Sequence, residues 1–199
     1  MYKVVKRALD IFFSAFFLIV LSPFFLLAAL LIWLFMGRPI VYTQTRIGRY
    51  NKPFLAYKFR SMKDKTSKNQ TDADRITWIG RLLRVSRIDE FPQLYNILKG
   101  DMSFIGPRPL LPEYLPYYTK QELKRHEVRP GLSGLSQVSG SYPAWEKQFE
   151  YDLEYVNKLS FSLDIRLFFK TILKVLRPSR KLVSGKTNRQ RFDEYRKKD

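Results

Sequence analysis

The sequence predicts an α+β fold, mostly helical. It comprises an N-terminal re-entrant membrane helix with a Ser-Pro break, a small β-hairpin, and amphipathic interfacial helices around a compact cytoplasmic domain. Three observations predict it. Residues 11–36 are uncharged and strongly apolar, but Ser22-Pro23 interrupts them near the middle. Residues 40–60 alternate apolar and polar side chains around a Gly- and Pro-containing turn. The rest carries apolar residues at helical spacing, with a basic stripe near its end.

As one straight helix the apolar run would reach about 39 Å, enough to cross a hydrocarbon core of about 30 Å. Proline removes a backbone donor and kinks a helix, and each half alone reaches only about 18–20 Å. Lys3, Lys6 and Arg7 precede the run; Arg38, Arg46, Arg49 and Lys52 follow it. Basic flanks mark the cytoplasmic side, and here both sides are marked. A segment with both ends in the cytoplasm dips in and returns, with Ser22 helping to satisfy the backbone groups that Pro23 frees. The alternative is a kinked spanning helix. The run is too long for a signal-peptide core and no small-residue cleavage site follows, so it is expected to be retained. The division is therefore an anchor over 1–38 and a cytoplasmic domain over 39–199 with a basic C-terminal tail.

The hairpin is expected to turn near 48–53. Residues 63–74 read as a polar loop. Helical spacing of Ile76, Ile79, Leu82 and Leu83 predicts a helix over 74–85. A cleaner helix is predicted over 89–99, with Phe91, Leu94, Tyr95 and Leu98 on one face, Pro92 in the first turn and Gly100 as the stop. Thr119 and Glu122 form a capping-box pattern opening a short helix that Arg129-Pro130-Gly131 ends. Residues 144–158 also read as helical. Residues 163–176 form a basic amphipathic helix: Arg166, Lys170, Lys174 and Arg177 share a stripe beside an aromatic and aliphatic face, a pattern suited to a membrane–water interface. A core helix with a solvated face is the alternative. The tail from Arg177 reads as loosely ordered.

Thirty-six Lys and Arg against 18 Asp and Glu give a net charge of +18. Such an excess implies an anionic partner: nucleic acid, anionic lipid headgroups or phosphorylated substrates. There is no cysteine, which excludes disulfides and thiolate metal sites, and the single histidine, His126, excludes a His-rich metal site. His126 fits an exposed or structural role better than a catalytic one.

The chemistry concentrates in residues 84–109. Asp89 and Glu90 are adjacent carboxylates at a predicted helix N-terminus, where the dipole favours carboxylate and phosphate alike. Arg84 and Arg87 lie just upstream and are expected to lower the aspartate pKa further. Helical neighbours point about 100° apart, so one carboxylate could attack while the other holds a divalent cation. Mg²⁺ suits one or two carboxylates plus substrate phosphate oxygens. Plain helix-terminal charge is the competing reading. Arg108 stands between Pro107 and Pro109, which stiffen its backbone and pre-set its guanidinium for a phosphate oxygen pair; a rigid surface turn is the alternative. Lys58, Arg60, Arg87 and Arg129 are further phosphate-binding candidates.

Taken in order, these pieces resemble the bacterial sugar transferases, specifically a small monotopic phosphoglycosyl transferase. The matching residues are Lys6-Arg7-x-x-Asp10, Ser22-Pro23, Gln44-x-Arg46-x-Gly48, Tyr57-Lys-Phe-Arg-Ser-Met62 and Asp89-Glu-Phe-Pro-Gln-Leu94. They continue with Asn96-x-Leu-Lys-Gly-Asp-Met-Ser103, Gly106-Pro-Arg-Pro109 and Arg129-Pro-Gly131. The resemblance implies transfer of a phosphosugar from a UDP-sugar to polyprenyl phosphate, giving polyprenyl diphosphate sugar and UMP, as the first membrane step of glycoconjugate assembly. It implies that Asp89 is the nucleophile, that Glu90, with Asp89, helps hold Mg²⁺, and that Arg108 binds phosphate. It also implies a re-entrant anchor at the bacterial cytoplasmic (inner) membrane, with the catalytic domain on the cytoplasmic face, and the chain length implies the short form of the family. Anionic lipids are expected partners; nucleic acid is not. A membrane-anchored nucleic-acid-binding protein or a non-catalytic scaffold is the alternative. One departure stands out. Family members often read Gln-Val-Asn-Gly-Arg where this chain has Gln137-Val-Ser-Gly-Ser141, followed by Tyr142-Pro143, which puts any inferred sugar preference in doubt.

Overall fold

The computed structural model describes residues 2–67, 70–140, 144–176 and 189–197. It begins with two helices, α1 (Tyr2–Val20) and α2 (Ser22–Met36), bent by 60° at their junction. The bend has a local cause. Pro23 has no N–H for the carbonyl of Ile19, four residues back. The Ser22 hydroxyl donates to that carbonyl instead, at 2.7 Å. Neither helix alone is long and apolar enough to cross a membrane, though the bent pair has the length and composition together. Much of its apolar surface is exposed, including Phe12, Phe16, Phe24, Leu27 and Trp33.

Polar ties fasten α1 to the remainder and give the Lys6-Arg7-x-x-Asp10 pattern a structural meaning. Buried Asp10 accepts from the Ser103 hydroxyl (3.0 Å) and the Phe104 N–H (3.1 Å). Arg7 donates to the carbonyls of Ile97 and Leu98, and Lys6 pairs with Asp164 at 2.6 Å.

The hairpin pairs β1 (Val41–Ile47) with β2 (Pro53–Phe59) antiparallel, from Val41 opposite Phe59 to Ile47 opposite Pro53. Its turn holds Tyr50 and Asn51 at positive φ. The helix expected over 74–85 is broken: α3 (Asp72–Arg75) ends at Ile76, which bridges to Met62, and α4 (Trp78–Val85) starts afresh with Thr77 as its cap. Gly80 is obligatory in α4, since a Cβ there would lie 1.8 Å from the Ser61 carbonyl oxygen.

The helix expected over 89–99 is shorter and turned. Residues Ile88–Glu90 form a 3-10 turn, and α5 runs Gln93–Lys99. Its buried face is Gln93, Leu94, Asn96 and Ile97, while Tyr95 is exposed. Asn96 explains the rotation: it donates to the Leu55 carbonyl (2.7 Å) and accepts from the Tyr57 N–H (3.1 Å), closing the free edge of β2.

Two short parallel strands follow, β3 (Ser103–Ile105) and β4 (Gly131–Ser133). Between them, Thr119 and Glu122 form the expected reciprocal cap, opening a 3-10 helix, Glu122–Glu127. Then come α6 (Leu135–Ser139), α7 (Trp145–Asn157), α8 (Phe161–Leu176) and α9 (Phe192–Arg196). In α8, Asp164 and Leu167 are buried, while Phe161, Phe169, Leu173 and Leu176 stand exposed. Residues 177–188 of the basic tail, Arg177 among them, lie outside the described residues. The end of the tail is not loose: Phe192 is fully buried among Tyr114, Tyr118, Trp145 and Phe149. A single aromatic in a polar stretch carries no periodicity, so only tertiary packing shows it.

Candidate active site

The carboxylate pair is placed by a tight reversal. After α4, Arg87 takes a left-handed conformation (φ 60°), costly for a non-glycine residue, and the 3-10 turn presents Asp89 and Glu90. Phe91 then packs edge-on against Phe25 of α2, with ring centroids 5.7 Å apart. The turn is thereby held against the bent helix pair.

The two carboxylates differ sharply in environment. Burial, then the neighbouring Glu90 charge, raise the Asp89 pKa to about 6; Lys58, Arg84 and Arg87 oppose this without overcoming it. The expectation that Arg84 and Arg87 would leave this pKa lowered is therefore corrected. One partner is also committed elsewhere, because Arg84 Nε donates to the Ser61 hydroxyl at 2.9 Å. Burial alone would raise Glu90 too, but Lys58, Arg108 and Arg87 hold it near 2. Lys58 Nζ lies 2.8 Å from Glu90 Oε1, and Arg87 Nη1 3.7 Å from Oε2. Two carboxyls pushed apart in this way suit different chemical roles.

Beside them opens a cavity of about 610 Å³, within the size range of ligand sites. Glu90, Arg87, Arg108, Lys174 and Arg189 line it, as do Phe17 and Leu21 of the helix bend and Phe168 and Val175 of α8. Asp89 itself is buried, 9% exposed, and is not among the lining residues.

Arg108 is presented by a rigid crossing. The Gly106 N–H donates to the Ser133 carbonyl, the Gly131 N–H to the Pro107 carbonyl, and Arg125 Nη2 to the Arg108 carbonyl at 2.6 Å. A Cβ on Gly131 would fall 2.1 Å from the Gly106 nitrogen, so the Arg-Pro-Gly pattern is a packing requirement.

Of the candidates, Glu90, Arg87 and Arg108 line this cavity, whereas Asp89, Lys58, Arg60 and Arg129 do not. Arg60 is buried and its guanidinium donates to the Met62 carbonyl (3.1 Å), the Arg38 carbonyl (2.7 Å) and Asp64 (2.7 Å), tying β2 to the end of α2. Arg129 donates to the Gly100 carbonyl at 2.8 Å and lines a separate cavity of about 450 Å³ beside Arg7 and Arg49. Protein groups therefore engage all three nitrogens of the Arg60 guanidinium, whereas for Arg129 only Nε is taken by a carbonyl. His126 is buried and structural, with Nδ1 2.6 Å from Asn51 Oδ1 and Nε2 3.3 Å from Arg125.

Sequence reasoning missed Lys174, Gln137 and Arg189 as cavity residues. Lys174 was read only as part of the interfacial stripe, and it donates to the carbonyls of Gln137 (2.5 Å) and Gly140 (3.0 Å). Ser141 to Pro143, the rest of the departing loop, lie outside the described residues. No group of three or more His, Cys, Asp or Glu able to hold a metal occurs among the described residues.

Comparison with known proteins adds the family. The chain is 45% identical over 177 residues to the uncharacterized sugar transferase EpsL of Bacillus subtilis (strain 168), covering 87% of this chain and 88% of that one. It is 40% identical over 195 residues to the exopolysaccharide production protein PSS of Rhizobium leguminosarum bv. phaseoli, covering 87% and 96%. It is 38% identical over 187 residues to the UDP-N-acetylgalactosamine-undecaprenyl-phosphate N-acetylgalactosaminephosphotransferase of Aeromonas hydrophila. That match covers 88% of this chain and 44% of the longer relative. The family model described as bacterial sugar transferase matches residues 1–178, and the chain belongs to that family of transferases.

Proposed function

We propose that the chain transfers a phosphosugar from a UDP-sugar to polyprenyl phosphate, giving polyprenyl diphosphate sugar and UMP, early in bacterial glycoconjugate assembly. One observation carries the reading. A carboxylate pair with opposed pKa values adjoins a cavity whose lining divides into cations, Arg87, Arg108, Lys174 and Arg189, and apolar side chains, among them Phe17 and Leu21 of the helix bend. A lipid phosphate has that same division, an apolar chain and an anionic head.

In this account an Asp89 carboxylate oxygen attacks the sugar-bearing phosphorus. The bond between that phosphorus and the bridging oxygen breaks, and UMP leaves with the oxygen. Asp89 then carries the phosphosugar as an acyl phosphate. An oxygen of polyprenyl phosphate attacks the same phosphorus and frees the Asp89 carboxylate. With its pKa near 6, Asp89 is mostly ionised at neutral pH yet more basic than an ordinary aspartate. Arg108 and Arg87 steady the phosphate oxygens, and Lys58 keeps Glu90 ionised. Lys58 takes Glu90 Oε1, and Oε2, in a looser ion pair with Arg87 at 3.7 Å, is the oxygen that would hold a divalent cation. Glu90, with Asp89 adjacent, would hold Mg²⁺, and the chemistry such an ion would supply is neutralisation of phosphate charge. The two ends of the bent pair lie on the cytoplasmic side of the inner membrane. The exposed faces of the pair and of α8 meet lipid, and the +18 charge draws anionic headgroups.

The test uses the full chain in nanodiscs with Mg²⁺, polyprenyl phosphate and a panel of UDP-sugars, and identifies the nucleotide released. UMP is expected. Release of UDP would mean ordinary glycosyl transfer and would overturn the assignment.

A further inference from the structure

The last described segment returns to the cavity. Phe192 is fully buried in the aromatic cluster of Tyr114, Tyr118, Trp145 and Phe149. The Trp145 indole N–H donates to the Gln190 carbonyl at 3.1 Å. These anchors fix Arg189 between them. Its guanidinium lies 3.3 Å from the centroid of the Trp145 ring, and Nη1 donates to Gln148 Oε1 at 2.7 Å.

The rest of that guanidinium is unused. Nε and Nη2 are both buried and meet no partner among the described residues. Buried donors left unpaired each cost about 1–3 kcal/mol and call for an explanation. Gln137 Nε2, on the same cavity, is buried and unpartnered as well. Burial pushes the Arg189 pKa down to about 10, as befits a cation lacking a counter-charge. The other cations of this cavity are differently placed. Lys174 is spent on two carbonyls, Arg87 faces Glu90, Arg191 pairs with Asp193, and Arg108 stands on the Gly106–Gly131 crossing. The Gln137-Val-Ser-Gly-Ser141 segment carries no cation of its own.

We infer that Arg189, reaching back from the C-terminal segment, binds the diphosphate of the nucleotide donor through its free Nε and Nη2 edge. An arginine fork with two adjacent donors matches two phosphate oxygens. The nucleotide is the favoured source of that phosphate because Arg189 stands on the Trp145 cluster. The apolar lining from the helix bend, Phe17 and Leu21, which suits the lipid chain, belongs to another cluster. The inference rests on the proposed phosphosugar transfer for the identity of the donor, but its test reads binding separately.

The full chain in nanodiscs would be compared with Arg189→Gln and Arg189→Lys. Three quantities are read: UDP affinity by calorimetry, the KM for UDP-sugar, and the KM for polyprenyl phosphate. Thermal unfolding checks the fold of each variant. Loss of a charge-assisted fork should weaken UDP binding and raise the UDP-sugar KM by about tenfold or more. The polyprenyl phosphate KM should stay within about twofold, and lysine should restore part of the loss. If Arg189→Gln does not fold, the lysine variant decides, with a weakening of about threefold or more expected from the lost fork. Unchanged UDP affinity in a folded variant, a shift confined to polyprenyl phosphate, or a wild type that does not bind UDP would each overturn the inference. A wild type that binds UDP through Arg189 yet releases no UMP would instead overturn the transfer reading alone.

Discussion

Replacing Asp152 with asparagine should reach the active cavity from a distance. Asp152 and Arg125 form an ion pair with both side chains 1% exposed. Arg125 donates to Asp152 Oδ2 through Nε (3.1 Å) and Nη2 (2.7 Å), and the same Nη2 holds the Arg108 carbonyl at 2.6 Å. Its guanidinium lies 5.8 Å from the Phe149 ring centroid, with no water-facing side. Removing one partner of such a pair leaves an uncompensated buried charge and costs about 3–5 kcal/mol. For a chain of this length each kcal/mol lowers the melting temperature by about 2–4 °C, so a fall of roughly 6–20 °C is expected. Thermal unfolding in detergent measures it. Replacing both partners, Arg125→Met with Asp152→Leu, removes the stranded charge and should recover most of the loss. That double variant still lacks the tie to Arg108, so its KM for the donor should remain raised. A fall of less than about 3 °C in Asp152→Asn would refute the reasoning, because the pair would then be worth no more than a surface contact.

Three further outcomes follow from named residues. His126 is held neutral, with its pKa lowered to about 3 by burial and then by Arg125. The unfolded chain takes up this proton below about pH 6.5 and the folded chain does not. Stability should therefore fall by about 1.4 kcal/mol per pH unit from pH 6.5 downward, and His126→Gln should flatten that slope in acid denaturation curves. In the proposed mechanism Asp89 attacks as its carboxylate, and its raised pKa puts its protonation near pH 6. Single-turnover UMP release should fall as pH drops through about 6, and Lys58→Met, which removes a charge favouring the carboxylate, should move the midpoint upward. An unmoved midpoint would disconnect Lys58 from the nucleophile. Replacing Ser22 and Pro23 together with alanine returns an N–H to the Ile19 carbonyl and should straighten the 60° bend. The chain has no cysteine, so Lys3→Cys serves as a unique label. In right-side-out vesicles an impermeant maleimide should miss it with the native bend and reach it in the straightened variant. Labelling with the native bend intact would contradict the re-entrant reading.

What could be read in advance was local. The Ser22-Pro23 break, the hairpin alternation and the Thr119–Glu122 cap each depend on residues within a few positions of one another, and each appears where expected. Long-range facts were not legible. The Asp89 pKa depends on burial and on the Glu90 charge, which override the two nearby arginines. The face of α5 is set by Asn96 finding β2, some forty positions earlier. Arg60 and Arg129 carry the residue type of a phosphate ligand, but neither lines the cavity beside Glu90, and carbonyls at Arg38 and Gly100 each take one of their donors. Arg189 shows no pattern at all, because the cluster that holds it gathers residues from three separate segments.

The central claim is that Asp89 carries the phosphosugar between the two substrates. Its most direct test omits the lipid. Wild type and Asp89→Asn would each be mixed with Mg²⁺ and UDP-sugar labelled in the sugar, without polyprenyl phosphate. The account expects a burst of about one UMP per wild-type chain, with the label bound covalently to the protein and released on adding polyprenyl phosphate. It expects neither from a folded Asp89→Asn. UMP release that waits for the lipid, or a labelled Asp89→Asn protein, would contradict it.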